Sequence, residues 1–251
     1  FHYAGDFNSQ QISFYRYMNG FFKGAGYPDS AFTSVRNTFS WATDLGSGVM
    51  NAYSFYLYGS PFFYFSLIFP QKWLPYLMVP LLVLKFAVAG GGAYLYLRRY
   101  VKNIDYAVLG ACLYTFSGFA VYNIFFNHFQ DVTAFFPLLL IAMEELVNQN
   151  RRGVFALSVA LLAAINYFFF TGQVVFLVLY FIVRCFSKDF HASLKKFFLV
   201  LLEAVIGVMI ACVILLPSAL AILANNRVSE HLFGMDMVAY SDRTRIWRIL
   251  L

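Results

Sequence analysis

From Leu74 to Leu223 the chain alternates long apolar runs with short polar gaps, and the gaps are of two kinds. One kind is basic: Arg98-Arg99-Tyr100-Val101-Lys102, Arg151-Arg152, and the stretch from Arg184 through Lys188 to Lys195-Lys196. The other, Phe125 to Asp131 and Asn166 to Gln173, contains no Lys or Arg. A helix needs about 20 apolar residues, at 1.5 Å rise each, to cross a hydrocarbon core of ~30 Å. The runs predict membrane helices over 74–97, 104–126, 132–147 and 197–223. Cytoplasmic loops collect Lys and Arg, so the basic gaps are expected inside and the others outside. The stretch 154–183 is flanked by basic gaps on both sides, so a single helix would violate parity. Two short helices, 154–168 and 171–184, turning near Asn166-Tyr167 and Thr171-Gly172-Gln173, restore it, since interrupted helices are tolerated where protein or a wet cavity surrounds them.

The first 73 residues follow a different pattern, mixing Gly, Ser, Asn, Asp and aromatics with no run long enough to span. Asp6 followed by Phe7, Ile12, Phe14, Tyr15, Met18, Phe21 and Phe22 predicts an N-capped helix with a large aromatic surface, lying in the membrane interface. Gly46, Gly48, Gly59 and the Ser60-Pro61 step break the rest into loops and short helices. The fold class is therefore all-α: a polytopic membrane bundle (74–223) with a large first extracytoplasmic loop (1–73) and an outer segment at 224–251. The chain begins at Phe1 without Met and ends on Ile249-Leu250-Leu251. It is expected to be part of a longer protein, with one span before Phe1 placing Asp6 outside.

Composition changes this picture only in its partners. The chain is 61% hydrophobic and 12% charged, against ~25% charged in soluble domains, and lipid contact accounts for the deficit. The net charge of +6 would suggest nucleic acid in a soluble protein. Here the cations flank the spans, so membrane lipids with anionic headgroups are the expected partners and nucleic acid is not. Cys112, Cys185 and Cys212 show neither metal-ligand spacing nor a disulfide framework. No GxGxxG, P-loop, HExxH, nucleophile elbow or CxxC occurs, and Gly90-Gly91-Gly92 inside a span reads as close helix packing.

Several polar residues stand out against this background. Asp6, in Gly5-Asp6-Phe7-Asn8-Ser9-Gln10-Gln11, is either a helix cap or a general base able to take a proton from an acceptor hydroxyl. His128 and Asp131, three apart, can share one helical face and contact a substrate, or be a loop His beside a capping Asp. Lys85, in the middle of a span, costs at least ~2.5 kcal/mol on insertion scales. It must face a phosphate or pair with an acidic residue. Asn166, Tyr167 and Gln173 suit sugar hydroxyls, and equally the exposed backbone of a turn. Glu203 is expected to pair with Lys195 or Lys196. Trp41, Tyr53, Tyr56 and Tyr58 could stack on sugar faces or anchor the interface.

The order and spacing of several short motifs resemble the YfhO family of bacterial multispan proteins. They are Gly5-Asp6-Phe7-Asn8-Ser9-Gln10-Gln11, Phe39-Ser40-Trp41 with Leu45-Gly46, Tyr58-Gly59-Ser60-Pro61-Phe62, Leu84-Lys85, Tyr114-Thr115-Phe116-Ser117-Gly118-Phe119, His128-Phe129-Gln130-Asp131 with Pro137-Leu138-Leu139, and Asn166-Tyr167. That family is similar to the C-type (GT-C) membrane glycosyltransferases. The resemblance implies a multi-pass protein of the bacterial cell membrane with its active site facing outside. It implies transfer of a sugar, GlcNAc by expectation, from a polyprenyl-phosphate donor to a surface glycopolymer such as lipoteichoic acid. On this reading Asp6 is the catalytic base, and Asp131, His128, Lys85, Gln10, Trp41, Asn166 and Tyr167 contact substrate. Lys85 with His128 would stabilise the departing phosphate. A divalent cation could share that role, but one Asp and one His do not make a site, and no metal is assigned. The rival readings are a transporter or flippase of a lipid-linked sugar, which would use the interrupted helix pair, and a non-catalytic assembly partner.

Overall fold

The computed structural model describes residues 6–23, 39–40 and 47–223. Apart from an antiparallel ladder of two-residue strands, β1 (Phe39–Ser40) and β2 (Ser47–Gly48), these residues are largely helical. A π-helical turn, Phe7–Gln11, leads into α1 (Ile12–Lys23). After the ladder come α2 (Val49–Tyr53), a second π-helical turn (Ser54–Tyr58) and α3 (Pro61–Ser66). The bundle then consists of α4 (Leu74–Leu97), α5 (Ile104–Thr115), α6 (Gly118–Tyr122), α7 (Phe129–Gln149), α8 (Val154–Ile165), α9 (Tyr167–Cys185) and α10 (Leu194–Leu223).

Four segments among the described residues are long and apolar enough to cross a membrane: Gln71–Leu97, Ile104–Phe125, Tyr167–Cys185 and Leu194–Leu223. They expose rows of Leu, Val, Ile and Phe, as lipid-facing helices do. Helix α7 packs between α4 and α8, and most of its residues are buried. Its central place explains why it can carry Asp131, Glu144 and Glu145. The small residues of α4 serve both its neighbours. A Cβ on Gly90 would lie 3.0 Å from Thr115 Oγ1 of α5, and one on Gly92 would lie 3.4 Å from Pro137 Cβ of α7. Gly91 meets nothing within 4 Å.

The basic gaps meet at one end of the bundle. Glu145 of α7 pairs with Arg99, which follows α4, and with Arg151, at 2.9 Å, in the loop before α8. Glu144 accepts from Arg184 Nε of α9 at 2.7 Å and from the Tyr180 hydroxyl at 2.6 Å. The C-terminal ends of α4, α7 and α9 therefore lie together. With Arg151, in the loop before α8, at the same end, α8 and α9 run in opposite directions from Asn166.

Details of the expected elements change for local reasons. The break between α8 and α9 is the single residue Asn166, not a turn spread to Gln173. Its Oδ1 accepts the N–H groups of both Phe168 and Phe169 at 3.1 Å, so one residue completes the N-cap. Thr171-Gly172-Gln173 lies inside α9. The predicted helix 104–126 is interrupted at Phe116-Ser117, where Ser117 caps α6. Helix α7 starts at Phe129 and α10 at Leu194, earlier than the hydropathy alone places them.

Glu203 does not pair with Lys195 or Lys196. It reaches across to α8, where its carboxylate accepts from Gly153 N–H at 2.8 Å and Ala156 N–H at 3.2 Å. A helix start leaves N–H groups without intrahelical partners, and a carboxylate there satisfies them and the helix dipole together. Glu203→Ala should cost about 1–3 kcal/mol, the usual cost of stranding buried donors. Glu203→Gln, whose amide oxygen still accepts, should recover part of it. Thermal unfolding in detergent reads both, and an alanine variant as stable as the wild type would remove this role from Glu203.

The amphipathic α1 packs an apolar face on the bundle. Tyr15, Met18 and Phe21 are buried with Phe63, Leu74 and Met78 in one core. Asn19 donates to the carbonyls of Ser66 and Phe69 at 3.4 and 3.3 Å. Its exposed positions include Arg16 and Lys23.

Candidate functional site

The site grows from the Ser60-Pro61 step. Pro61 occupies the first turn of α3, and Ser60, in extended backbone, caps it by accepting Phe63 N–H at 3.2 Å. The Ser60 hydroxyl proton remains free to donate, and it goes to Asp131 Oδ2 in the first turn of α7. Gly59, just before, presses on the end of α8. A Cβ there would lie 1.8 Å from the Ala164 carbonyl oxygen, so only glycine lets the chain pass.

Asp131 and Lys85 form a buried ion pair. Lys85 Nζ lies 2.5 Å from Asp131 Oδ1, with both side chains almost fully enclosed, and it also donates to the Asn127 carbonyl at 2.8 Å. Of the two partners the sequence allowed Lys85, a phosphate or an acidic residue, the described structure contains the acidic one. Tyr15 of α1 is fully buried beside this pair, next to Ser60 and Asn127. Burial, reinforced by the Asp131 charge, pushes its hydroxyl well above the usual range, so it stays protonated. The first-loop helix, the Ser60-Pro61 step, α4 and the start of α7 thus meet at one polar point inside apolar surroundings.

His128 is buried a turn before Asp131, among the rings of Phe55, Tyr56 and Phe129, with centroids at 5.3, 4.8 and 4.3 Å. Burial first, and then the Lys85 ammonium, hold its imidazole down to about 3, so it is neutral at physiological pH. Phe55 links this position to the α8–α9 turn. Its ring lies 5.8 Å from that of Tyr167, and its carbonyl accepts from Asn166 Nδ2 at 3.4 Å. Asn166 therefore has a full structural occupation as a cap, whereas Tyr167 and His128 share an aromatic wall.

Asp6 and Gln10 precede α1 on its N-terminal side, Asp6 nine positions before Tyr15 and Gln10 five. Asp6 has helical backbone angles, φ −63° and ψ −21°, and makes no side-chain capping bond, contrary to the N-cap expectation. It abuts a π-helical turn, a form that recurs at functional sites. Gln10 is half-buried and accepts from Gln11 Nε2 at 3.4 Å. Trp41 and the segment 224–251 lie outside the described residues. Among the described residues no group of three His, Cys, Asp or Glu is placed to hold a metal.

Sequence reasoning passes over Ser60, Tyr15 and Asn127. The Ser-Pro pair is legible as a helix start, but its second bond, to a residue 71 positions away, has no local signal. A cavity of about 660 Å³ between α7, α8, α9 and α10, lined by Phe155, Phe170, Phe181, Phe197 and other apolar residues, is separate from this polar cluster. Its wall suits lipid chains.

A family model described as "Bacterial membrane protein YfhO" matches residues 1–240 of the chain. No curated protein and no solved structure matches it.

Proposed function

We propose, from the premise that the chain belongs to the YfhO family of bacterial membrane proteins, that it is a membrane glycosyltransferase of GT-C type. It would transfer a sugar, GlcNAc by expectation, from a polyprenyl-phosphate donor to a surface glycopolymer such as lipoteichoic acid, with the reaction on the outer face. The observation that carries this reading is the state of Asp6. Its helix is docked on the bundle through a buried core and a polar junction, yet its carboxylate is not used as a cap. A held helix with an acidic group to spare is what positioning a base requires.

The chemistry is a single displacement with inversion. The acceptor oxygen forms a bond to the anomeric carbon as the bond from that carbon to the carrier phosphate breaks. Asp6 takes the acceptor's proton, and the phosphate leaves already charged, so no general acid is needed. Lys85 and Asp131 neutralise each other, and we assign the pair to holding Ser60 and the first loop in place. His128 and Tyr167 form part of the wall that a sugar would face.

A transporter would draw on the interruption between α8 and α9. Asn166 occupies the free N–H groups there, and the bundle is tied at both ends by Lys85–Asp131 and by Glu144–Arg184. Neither feature favours rocking of one half against the other. The test is sugar transfer by the full-length protein in membranes supplied with a labelled polyprenyl-phosphate sugar. Asp6→Asn should lower the rate by about 100-fold or more, the scale of general-base contributions, with thermal stability unchanged. Full activity in that variant would remove Asp6 as the base. A wild-type protein that moves the donor across vesicles without transferring sugar would establish the transporter.

A further inference from the structure

One face of the first-loop helix is polar, buried and short of partners. Gln11 and Tyr15, four apart, share one side of the helix, and Asn8 lies in the π-helical turn just before them. Gln11 and Tyr15 are fully enclosed. The Asn8 and Gln11 amide oxygens make no hydrogen bond, and the Tyr15 hydroxyl, though close to Ser60 and Asn127, completes none in good geometry. Tyr15 carries the stripe to Asn127. There the Asn127 amide, which lies against the Tyr15 hydroxyl, and both ring nitrogens of His128 are again enclosed and complete no hydrogen bond in good geometry. Buried polar groups are nearly always paired, and stranding them is costly. A set on two elements that meet at Tyr15 is therefore a place built for something with hydroxyls.

The charge balance says what kind of molecule. Lys85 is neutralised by Asp131, His128 is neutral, and Tyr15 keeps its proton. What remains is a mix of neutral donors and acceptors: amide oxygens, an amide NH2, a phenol and an imidazole with one donor and one acceptor nitrogen. An anion would find no free cation among these groups. The aromatic rings around His128 add flat apolar faces beside them.

We propose that Asn8, Gln11, Tyr15, Asn127 and His128 form a subsite for the hydroxyl groups of an uncharged sugar, reading it by hydrogen bonds while the phosphate of any carrier lies elsewhere. The inference rests on the glycosyltransferase reading for its sugar, and it reassigns His128 from the phosphate to the sugar.

Saturation-transfer NMR on the full-length protein in nanodiscs, with the methyl glycoside of N-acetylglucosamine as probe and inorganic phosphate as contrast, tests it. The wild type should saturate with the glycoside and not with phosphate. His128→Phe, which keeps the aromatic packing, and Gln11→Leu should each weaken glycoside binding at least 10-fold while the thermal midpoint holds or rises, because the stranded polar atoms are gone. Gly91→Ala, whose added methyl meets nothing within 4 Å, should bind the glycoside as the wild type does. Failure of the wild type to bind the glycoside, a preference for phosphate, or unchanged binding in both apolar variants would overturn the subsite; the last outcome would mean that these atoms hold water only. Binding lost in His128→Phe together with full transfer by Asp6→Asn would keep the subsite and remove the base, so the two readings fail separately.

Discussion

Lys85→Met is expected to leave little folded protein, and Asp131→Asn to do nearly as much damage, whereas the double variant should fold. The reason is the enclosure of the pair: neither side chain reaches solvent. Removing one partner of a buried ion pair strands the other's charge, at about 3–5 kcal/mol, while replacing both with neutral groups is often close to neutral. Such a loss is comparable to much of the stability of an ordinary domain. In the double variant the amide oxygen introduced at position 131 would still accept the Ser60 hydroxyl, so the junction with α3 survives. Fluorescence-detected size exclusion and thermal inactivation of the three variants close the cycle. A double variant no better than the worse single would show that the charges are not what the fold depends on. The same protein also separates two roles. If the ammonium serves only to balance Asp131, the double variant should transfer sugar within about 10-fold of the wild type. If the donor phosphate meets Lys85, it should fold and be inactive, since charge stabilisation at a leaving phosphate amounts to several kcal/mol in such a site.

The bundle is legible where the bilayer imposes the pattern. Lys and Arg at the gaps give direction, and direction forces the stretch 154–183 to turn back. Arg99, Arg151 and Arg184 accordingly meet Glu145 and Glu144 at one end. What stays hidden depends on pairings far apart along the chain. Lys85 advertises that it needs a partner, but not which of two, because an ion pair and a phosphate satisfy an ammonium equally. Glu203 sits near Lys195 and Lys196 in sequence, but the start of α8 offers it two N–H groups without intrahelical partners. Helix α1 has an aromatic face whose partners the sequence does not name, and Phe63, Leu74 and Met78 take up Tyr15, Met18 and Phe21 in one core. Asn127, Tyr15 and Gln11 carry no signal because their distinguishing property, burial without a partner, exists only in three dimensions.

Gly59→Ala is expected to be the most damaging single-methyl change among the described glycines. Gly59 has ordinary backbone, φ −95° and ψ 0°, so no strain of its own calls for glycine. The requirement is space: the added Cβ would sit 1.8 Å from the Ala164 carbonyl oxygen and 2.7 Å from the Ile165 nitrogen. Both are backbone atoms of the last turn of α8, and no rotamer can move them aside. Either α8 or the first loop must shift, and each is pinned. Ser60 is bonded to Asp131, and the α8–α9 turn is bonded to Phe55 through Asn166. Overpacking of a well-filled interior costs about 1–3 kcal/mol and more when backbone must move, so the upper end or beyond is expected here. Gly91→Ala is the matched control. The same methyl added on α4 meets nothing within 4 Å, and replacing glycine inside a helix gains about 0.5–1 kcal/mol. Thermal midpoints in the same detergent should fall for Gly59→Ala and rise slightly for Gly91→Ala. Equal midpoints would mean that the first loop does not press on α8. Sugar transfer by whatever Gly59→Ala protein survives reads the functional side of the same contact. Separating the loop from α8 should misplace Asp6 relative to the aromatic wall at His128 and Tyr167, and the rate should then fall further than the folded fraction does.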